Sequence, residues 1–143
     1  MSIDNNLYEK SIKILTDLIA FKTISGQDNS NLIDYCEKIL NNIGIDTFKV
    51  YDDDKKRVNL FGTLKAKNQS TKKPIILSGH TDVVPVSKGW SSDPFIATIK
   101  NDKLYGRGSC DMKGFIACTL AYAPIFKESN LDRDLHLDRK SVV

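Results

Sequence analysis

The sequence has no apolar run of membrane-spanning length, and its first apolar stretch, residues 12–21, is broken by Lys13, Thr16 and Asp17. A transmembrane helix requires about 20 successive apolar residues. A secretory signal requires an unbroken apolar segment near the start of the chain. We therefore expect neither a membrane partner nor a secretory signal.

The sequence also has few cysteines and no large excess of positive or negative charge. The three cysteines, Cys36, Cys110 and Cys118, are an odd number without C-x-x-C spacing. This usage favours a reducing compartment over a disulfide framework, so a cytoplasmic location is expected. The net charge is only +3, and the lysines are interspersed with acids. That pattern is unlike the clustered basic surface of a nucleic-acid-binding protein, so no nucleic-acid partner is expected.

Apolar residues recur at three- and four-residue spacing in two places, which predicts two amphipathic helices. The first starts near residues 4–5 and stops before residues 23–26, and the second covers about 28–43. Gly44 is suited to ending the second helix, because glycine readily adopts the left-handed backbone found there.

After Gly44 the spacing of apolar residues changes to one typical of β-strands. We predict strands over 47–51, 58–64 and 74–78, a hairpin over 96–105, and a largely buried helix over 112–126. The strand at 74–78 is nearly all apolar, as is typical of a sheet covered on both faces. The order helix, helix, strands, helix indicates an α/β layered fold.

Three side chains suited to binding a metal lie at loop positions after predicted strands. His80 and Asp82 follow the strand at 74–78, and Asp111 lies in a glycine-rich turn before the last helix. Imidazole and carboxylate groups are ligands of Zn²⁺, and a zinc-binding histidine usually has its other ring nitrogen held by an acceptor. In an extended segment, side chains two residues apart point to the same face, so Asp82 can hold His80.

Several other interpretations of these residues stay open at this point. A His-x-Asp pair is also common at protein surfaces. Residues 106–108 resemble part of a phosphate loop but lack the full G-x-G-x-x-G pattern, and Cys110 with His80 would suit a thiol nucleophile and its base. Arg107 either binds an anion or braces a turn. A long loop is predicted from residue 81 to about 95, and Trp90 with Phe95 either lines a pocket or packs this loop onto the sheet.

The motifs around these residues resemble those of the M20 family of metallo-aminoacylases and peptidases. The resemblance covers the chain from the first helix to about Asp134. Within the family, residues 111–117 and the following Ala123-Pro124 resemble the acetylornithine deacetylases most, and succinyl-diaminopimelate desuccinylases share much of the pattern. The segments that carry the resemblance are Ser78–Pro85, Gly89-Trp90, Asp93–Phe95, Leu104–Gly108 and Asp111–Gly114.

The resemblance implies the fold and the chemistry. Residues 1–143 would be the N-terminal portion of the catalytic domain, a truncated part of a zinc-peptidase-like three-layer α/β sandwich with a mixed sheet. His80 would bind one metal ion. Asp111 would bridge two metal ions, and the peptide bond that follows it would be cis. Asp82 would be the catalytic acid that orients His80. The cofactor would be two Zn²⁺ ions, with Co²⁺ as an alternative.

The implied reaction is hydrolysis of an N-acyl amino acid, with N-acetylornithine giving acetate and ornithine. The full-length protein would be a homodimer formed through a domain that is absent here. Alternatives are a succinyl-diaminopimelate desuccinylase or a dipeptidase of the same family, or a truncated relative without catalytic activity.

The sequence also departs from the family pattern. It lacks the downstream Glu-Glu pair that supplies the general base and one ligand, a further acidic ligand and a distant histidine. With too few ligands and no base, the chain as it stands is expected to be inactive. Residues 138–143 resemble the translation of a sequencing adaptor, so we expect a non-native tail on an N-terminal fragment.

Overall fold

Helices and strands follow one another in the predicted order in the computed structural model, which describes residues 5–68 and 70–140. Residue 4, a predicted start of the first helix, lies outside the described residues. In chain order the elements are α1 (Asn5–Ala20), α2 (Ser30–Asn42), β1 (Asp46–Tyr51), β2 (Val58–Leu64), β3 (Ile75–His80), β4 (Thr98–Lys100), β5 (Lys103–Tyr105), α3 (Gly114–Glu128) and β6 (Leu135–Lys140).

The second helix begins and ends as its sequence predicts. The carboxylate of Asp28 accepts a hydrogen bond from the Ser30 N–H at 2.7 Å, which occupies a donor that the helix leaves free. At the other end Gly44 adopts a left-handed backbone, with φ of 68°, and donates its N–H to the Asn41 carbonyl at 2.8 Å. The predicted glycine terminus is confirmed.

A mixed four-stranded sheet forms the second layer, in the order β1-β2-β6-β3. β3 runs parallel to β6, and the other two pairings are antiparallel. The α/β class and the mixed sheet are confirmed. All three described helices share one core with one face of this sheet; it includes Ile14, Leu18, Leu32, Ile33, Leu40, Val58, Leu60, Ile116, Leu120, Leu135 and Leu137. In the part of the chain that the structure describes, no helix combines the length and apolar character needed to cross a membrane.

The expectation that the strand near 74–78 is covered on both faces is wrong for the described residues. β3 lies at an edge of the sheet, and Ile75 and Ile76 are 50% and 59% exposed. Ile76 pairs with His136, on the sheet face turned away from the helices, where Phe48 is also exposed. The apolar run at 74–78 could not by itself predict this exposure. Such a run shows that the strand favours burial, but not which elements of the fold cover it.

We expect Ile76→Lys to reduce self-association of the chain. An exposed apolar edge strand offers free backbone groups and apolar side chains to a second copy, and a lysine at an edge opposes such pairing. Sedimentation velocity over a range of concentrations checks this. Ile99→Lys is the matched control, because Ile99 is 63% exposed but lies in the separate β4–β5 hairpin. Equal association of both variants and the parent chain would contradict the prediction.

The hairpin of β4 and β5 is confirmed, and its turn residues Asn101 and Asp102 both have positive φ, at 52° and 56°. The last helix differs from its predicted start at residue 112. Regular helix begins at Gly114, because Asp111 and Met112 have extended or irregular backbone angles that carry the chain through a turn.

Cysteine accessibility gives a simple check on the packing. Cys36 is fully buried in the core, and burial raises the pKa of its thiol to about 12. Cys110 and Cys118 are exposed. Because the thiolate is the reactive form, we expect an alkylating reagent at neutral pH to modify Cys110 and Cys118 and to modify Cys36 only after denaturation. Peptide mass spectrometry reads this out, and rapid labelling of native Cys36 would contradict the packing.

Candidate metal site

One cleft of about 410 Å³ brings the three predicted site residues together. His80 is the last residue of β3, Asp82 follows in the next loop, and Asp111 lies in the turn before α3. The cleft therefore lies beyond the carboxyl end of a parallel strand, where sites in α/β sheets are usually found. Its lining residues are Ser25, His80, Asp82, Val83, Val84, Gly106, Arg107, Gly108, Ser109, Cys110 and Asp111.

The imidazole of His80 is held from both sides. Its Nδ1 lies 3.0 Å from the main-chain oxygen of Asp82 and 3.6 Å from that residue's Oδ1. A carbonyl oxygen can only accept, so Nδ1 carries the proton and donates. Asp82 thus lies against the ring, with its shorter contact through the main chain rather than through the carboxylate, and its role in orienting His80 stays a prediction.

The other ring nitrogen of His80 faces Asp111. Nε2 lies 3.0 Å from Asp111 Oδ1, and the Asp111 side chain is 86% exposed. With the proton on Nδ1, the neutral ring presents a lone pair to a carboxylate that also offers a lone pair. Two acceptor atoms at this distance are bridged either by a shared proton or by a metal ion.

The turn that carries Asp111 is packed tightly against its surroundings through glycines. A Cβ on Gly106 would lie 2.8 Å from Ile19 of α1, and one on Gly108 would lie 2.5 Å from Val83. Gly108 also has a positive φ of 79°. The close approach predicted for this glycine-rich segment is confirmed. The Asp111–Met112 peptide bond is cis, as the resemblance implied.

Lys113 also holds the turn that carries Asp111, a role that could not be seen in the sequence. Its side chain is fully buried, and Nζ donates to the main-chain oxygens of Leu18 and Phe21 at 2.8 and 2.7 Å. These carbonyls lie at the end of α1, where the helix leaves acceptors free. Burial lowers the pKa of Lys113 to about 8. The ammonium thus ties the Asp111 segment to α1.

Ser25 is a second residue that the sequence analysis missed. It lies in the loop between α1 and α2, and its hydroxyl donates to Asp82 Oδ2 at 2.6 Å. Because 57 residues separate the partners, no local pattern signals the contact.

The alternative roles find less support in the geometry. Among the described residues, Cys110 makes no hydrogen bond with His80, whose ring nitrogens contact Asp82 and Asp111. The Arg107 guanidinium lies over the Trp90 ring, 5.2 Å from its centroid, and Nη2 is 3.4 Å from the Pro85 oxygen. These contacts brace the long loop. Phe95 is buried, consistent with packing of that loop.

The donor set at the His80–Asp111 contact fits a zinc ion. Two ligands on one tetrahedral Zn²⁺, with bonds of about 2.0–2.1 Å, lie roughly 3.3 Å apart. The observed 3.0 Å separation of Nε2 and Oδ1 is close to this. A complete catalytic site has three protein ligands. Within residues 5–68 and 70–140, no group of three His, Cys, Asp or Glu side chains is arranged to hold a metal ion.

Comparison with known proteins supports the resemblance. Residues 76–137 match the family model described as peptidase family M20/M25/M40. This stretch contains His80, Asp82 and Asp111. The chain belongs to the M20 family. The chain is 40% identical over 109 residues to acetylornithine deacetylase from Myxococcus xanthus. The match covers 74% of this chain and 28% of that protein.

A second relative carries a different name. Over 125 residues the chain is 38% identical to succinyl-diaminopimelate desuccinylase from Rickettsia akari, covering 83% of this chain and 32% of that protein. The M20 chain thus spans about a third of the length of these relatives. Their names divide between two substrates, so family membership does not fix the substrate.

Solved structures show the same fold. Human carnosine dipeptidase 1 has a TM-score of 0.76 at 21% identity, covering 96% of this chain and 32% of that chain. A dinuclear metal-binding peptidase of the M20 family from Bacillus subtilis has a TM-score of 0.66 at 14% identity, covering 96% and 36%.

Proposed function

We propose that this chain is the part of an M20 amidohydrolase that supplies His80 and Asp111 to a zinc centre. The contact between His80 Nε2 and Asp111 Oδ1 at 3.0 Å carries the proposal, because two acceptors converge there on a place for a cation. The dinuclear site named for the Bacillus subtilis peptidase supports a pair of ions. Zn²⁺ is the proposed metal, with Co²⁺ as the alternative.

The proposed reaction is hydrolysis of the amide bond of an N-acyl amino acid. Bound metal ions would polarise the acyl carbonyl and lower the pKa of a water molecule. In this chain, His80 directs Nε2 into the cleft because Asp82 holds Nδ1. Asp111 brings negative charge to the same point. Asp82 acts as a positioning residue, since its contacts are with the His80 ring and the Ser25 hydroxyl.

N-acetylornithine is our proposed substrate, with acetate and ornithine as products. The motif at residues 111–117 and the similarity to the Myxococcus xanthus enzyme support it. The Rickettsia akari relative makes N-succinyl-diaminopimelate the second candidate. We further propose that the longer protein is a cytoplasmic homodimer.

The test uses the protein encoded by the intact gene. Sequencing genomic DNA beyond the codon for Leu137 shows whether the frame continues to a Glu-Glu pair. That protein is then assayed with zinc on acetylornithine, succinyl-diaminopimelate and a dipeptide. A larger kcat/KM for acetylornithine supports the proposal, and a larger value for another substrate reassigns it. A native stop codon would favour the non-catalytic relative.

The purified 143-residue chain is proposed to be inactive, because its described residues offer no third ligand to the zinc site. Zinc-dependent release of acetate from acetylornithine by this chain, persisting after repeated purification and lost in His80→Ala, would overturn that proposal.

A further inference from the structure

The loop that follows α1 forms an additional wall of the cleft. Ile24 makes a parallel bridge with Val83, with the Ser25 N–H donating to Val83 O at 3.0 Å and the Val83 N–H donating to Thr23 O at 2.8 Å. The buried Thr23 hydroxyl donates to the Thr81 carbonyl at 2.6 Å. Residues 23–25 are therefore fixed beside the segment that follows His80.

This anchoring places one hydroxyl against the Asp82 carboxylate. Ser25 Oγ donates to Oδ2 at 2.6 Å, while Oδ1 of the same carboxylate lies 3.6 Å from His80 Nδ1. Asp82 is only 6% exposed, so water has little access to compete for the carboxylate. A short hydrogen bond to an ionised oxygen is among the stronger kinds and fixes the orientation of the group.

We propose that Ser25 is a positioning residue, which holds the Asp82 carboxylate and so keeps the His80 ring turned with Nε2 toward Asp111. Without the hydroxyl, Oδ2 loses its 2.6 Å donor, and the carboxylate is expected to rotate toward the donor on His80 Nδ1. That rotation would draw the ring away from the Asp82 main-chain oxygen. Groups that hold a metal-binding histidine typically change metal affinity by about 10–100-fold when removed. The zinc part of this inference rests on the proposed function.

The experiment compares Ser25→Ala and Ser25→Cys with Ser25→Thr in the 143-residue chain. Alanine removes the donor, cysteine keeps a side chain of similar shape with a weak donor, and threonine keeps the hydroxyl. Ser11→Ala is the matched control, since that hydroxyl donates to the Leu7 carbonyl at 2.9 Å within α1. The readouts are ¹⁵N NMR of the His80 ring at fixed pH without metal, zinc affinity, and the thermal midpoint.

We expect Ser25→Ala and Ser25→Cys to shift the His80 ring nitrogens and to weaken zinc binding by about 10–100-fold. Ser25→Thr should restore the ring signals, and Ser11→Ala should leave them unchanged. Unchanged ring signals in Ser25→Cys would overturn the proposal, even if the thermal midpoint fell, because only packing would then depend on Ser25. If the parent chain alone binds no zinc, the site needs ligands from the longer protein, while the metal-free ring signals still decide the role of Ser25.

Discussion

Asp111→Asn and His80→Ala are each expected to abolish saturable zinc binding by the purified chain. The two side chains supply the atoms that converge at 3.0 Å, and within the described residues no third ligand replaces either one. The amide of asparagine keeps the size of Asp111 but removes the negative charge. Since removing a supporting group alone costs about 10–100-fold, loss of a direct ligand should cost on the order of 100-fold or more. Competition with a zinc indicator dye measures the affinity.

Two controls test whether the effect is specific to the cleft. His136→Ala removes the other of the chain's two histidines, whose Nδ1 contacts the Thr63 hydroxyl at 3.0 Å on the sheet. Asp102→Asn changes a carboxylate in the β4–β5 turn, and asparagine tolerates the positive φ of that position. Both controls should bind zinc as the parent chain does. Equal affinity in Asp111→Asn and the parent chain would place the zinc elsewhere.

The parts of this site that local chemistry determines could be predicted from the sequence. His80 and Asp82 are two residues apart at a strand end, and the glycines before Asp111 permit the close packing that the turn requires. The end of α2 at Gly44 was equally predictable, because a left-handed residue there has a local signal. In each case the signal in the sequence is local, although the close neighbours of the glycines, Ile19 and Val83, lie elsewhere in the chain.

The rest depends on contacts between distant segments. Ser25 reaches Asp82 across 57 residues, and Lys113 reaches the Leu18 carbonyl across 95. A lysine just before an apolar helix would be predicted to be exposed to solvent. Instead, the Lys113 ammonium is buried and donates to carbonyl oxygens at the end of α1. The exposure of Ile76 was mispredicted for the same reason: burial depends on which elements cover a strand, and composition does not report that.

Arg139→Met is expected to stabilise the chain, by about 1–4 kcal/mol in the free energy of unfolding. The Arg139 side chain is fully buried in β6, and its Nε and Nη2 have no hydrogen-bond partner among the described residues. Nη1 donates to the Leu77 and Asp138 carbonyls at 3.1 and 3.0 Å, which only partly replaces water. Burial accordingly lowers the pKa of Arg139. Chemical denaturation monitored by circular dichroism measures the change.

Burial lowers the pKa of Arg139 more than its interactions with Cys36 and Asp138 raise it, so these neighbours offset only part of the cost of burying the charge. Cys36 is the buried group that interacts with both Arg139 and Lys113, and burial raises the pKa of its thiol to about 12. The thiol is therefore neutral at physiological pH. Arg133→Met is the control, because Arg133 pairs with Asp132 at the surface, where solvent screens the interaction, and its loss should change stability little. A less stable Arg139→Met variant would show that the two carbonyl contacts outweigh desolvation.

Arg139 is buried because the backbone pairing of β6 determines which face of the sheet each side chain occupies, whatever that side chain is. In the ladder, Arg139 lies between Leu60 of β2 and Gly79 of β3, so its side chain is directed to the core face with Leu135 and Leu137. A strand that continues this register needs an apolar residue at position 139. A stabilising methionine would show that the position favours apolar character. Whether residues 138–143 are native stays a prediction, and the genomic sequence beyond Leu137 is the measurement that checks it.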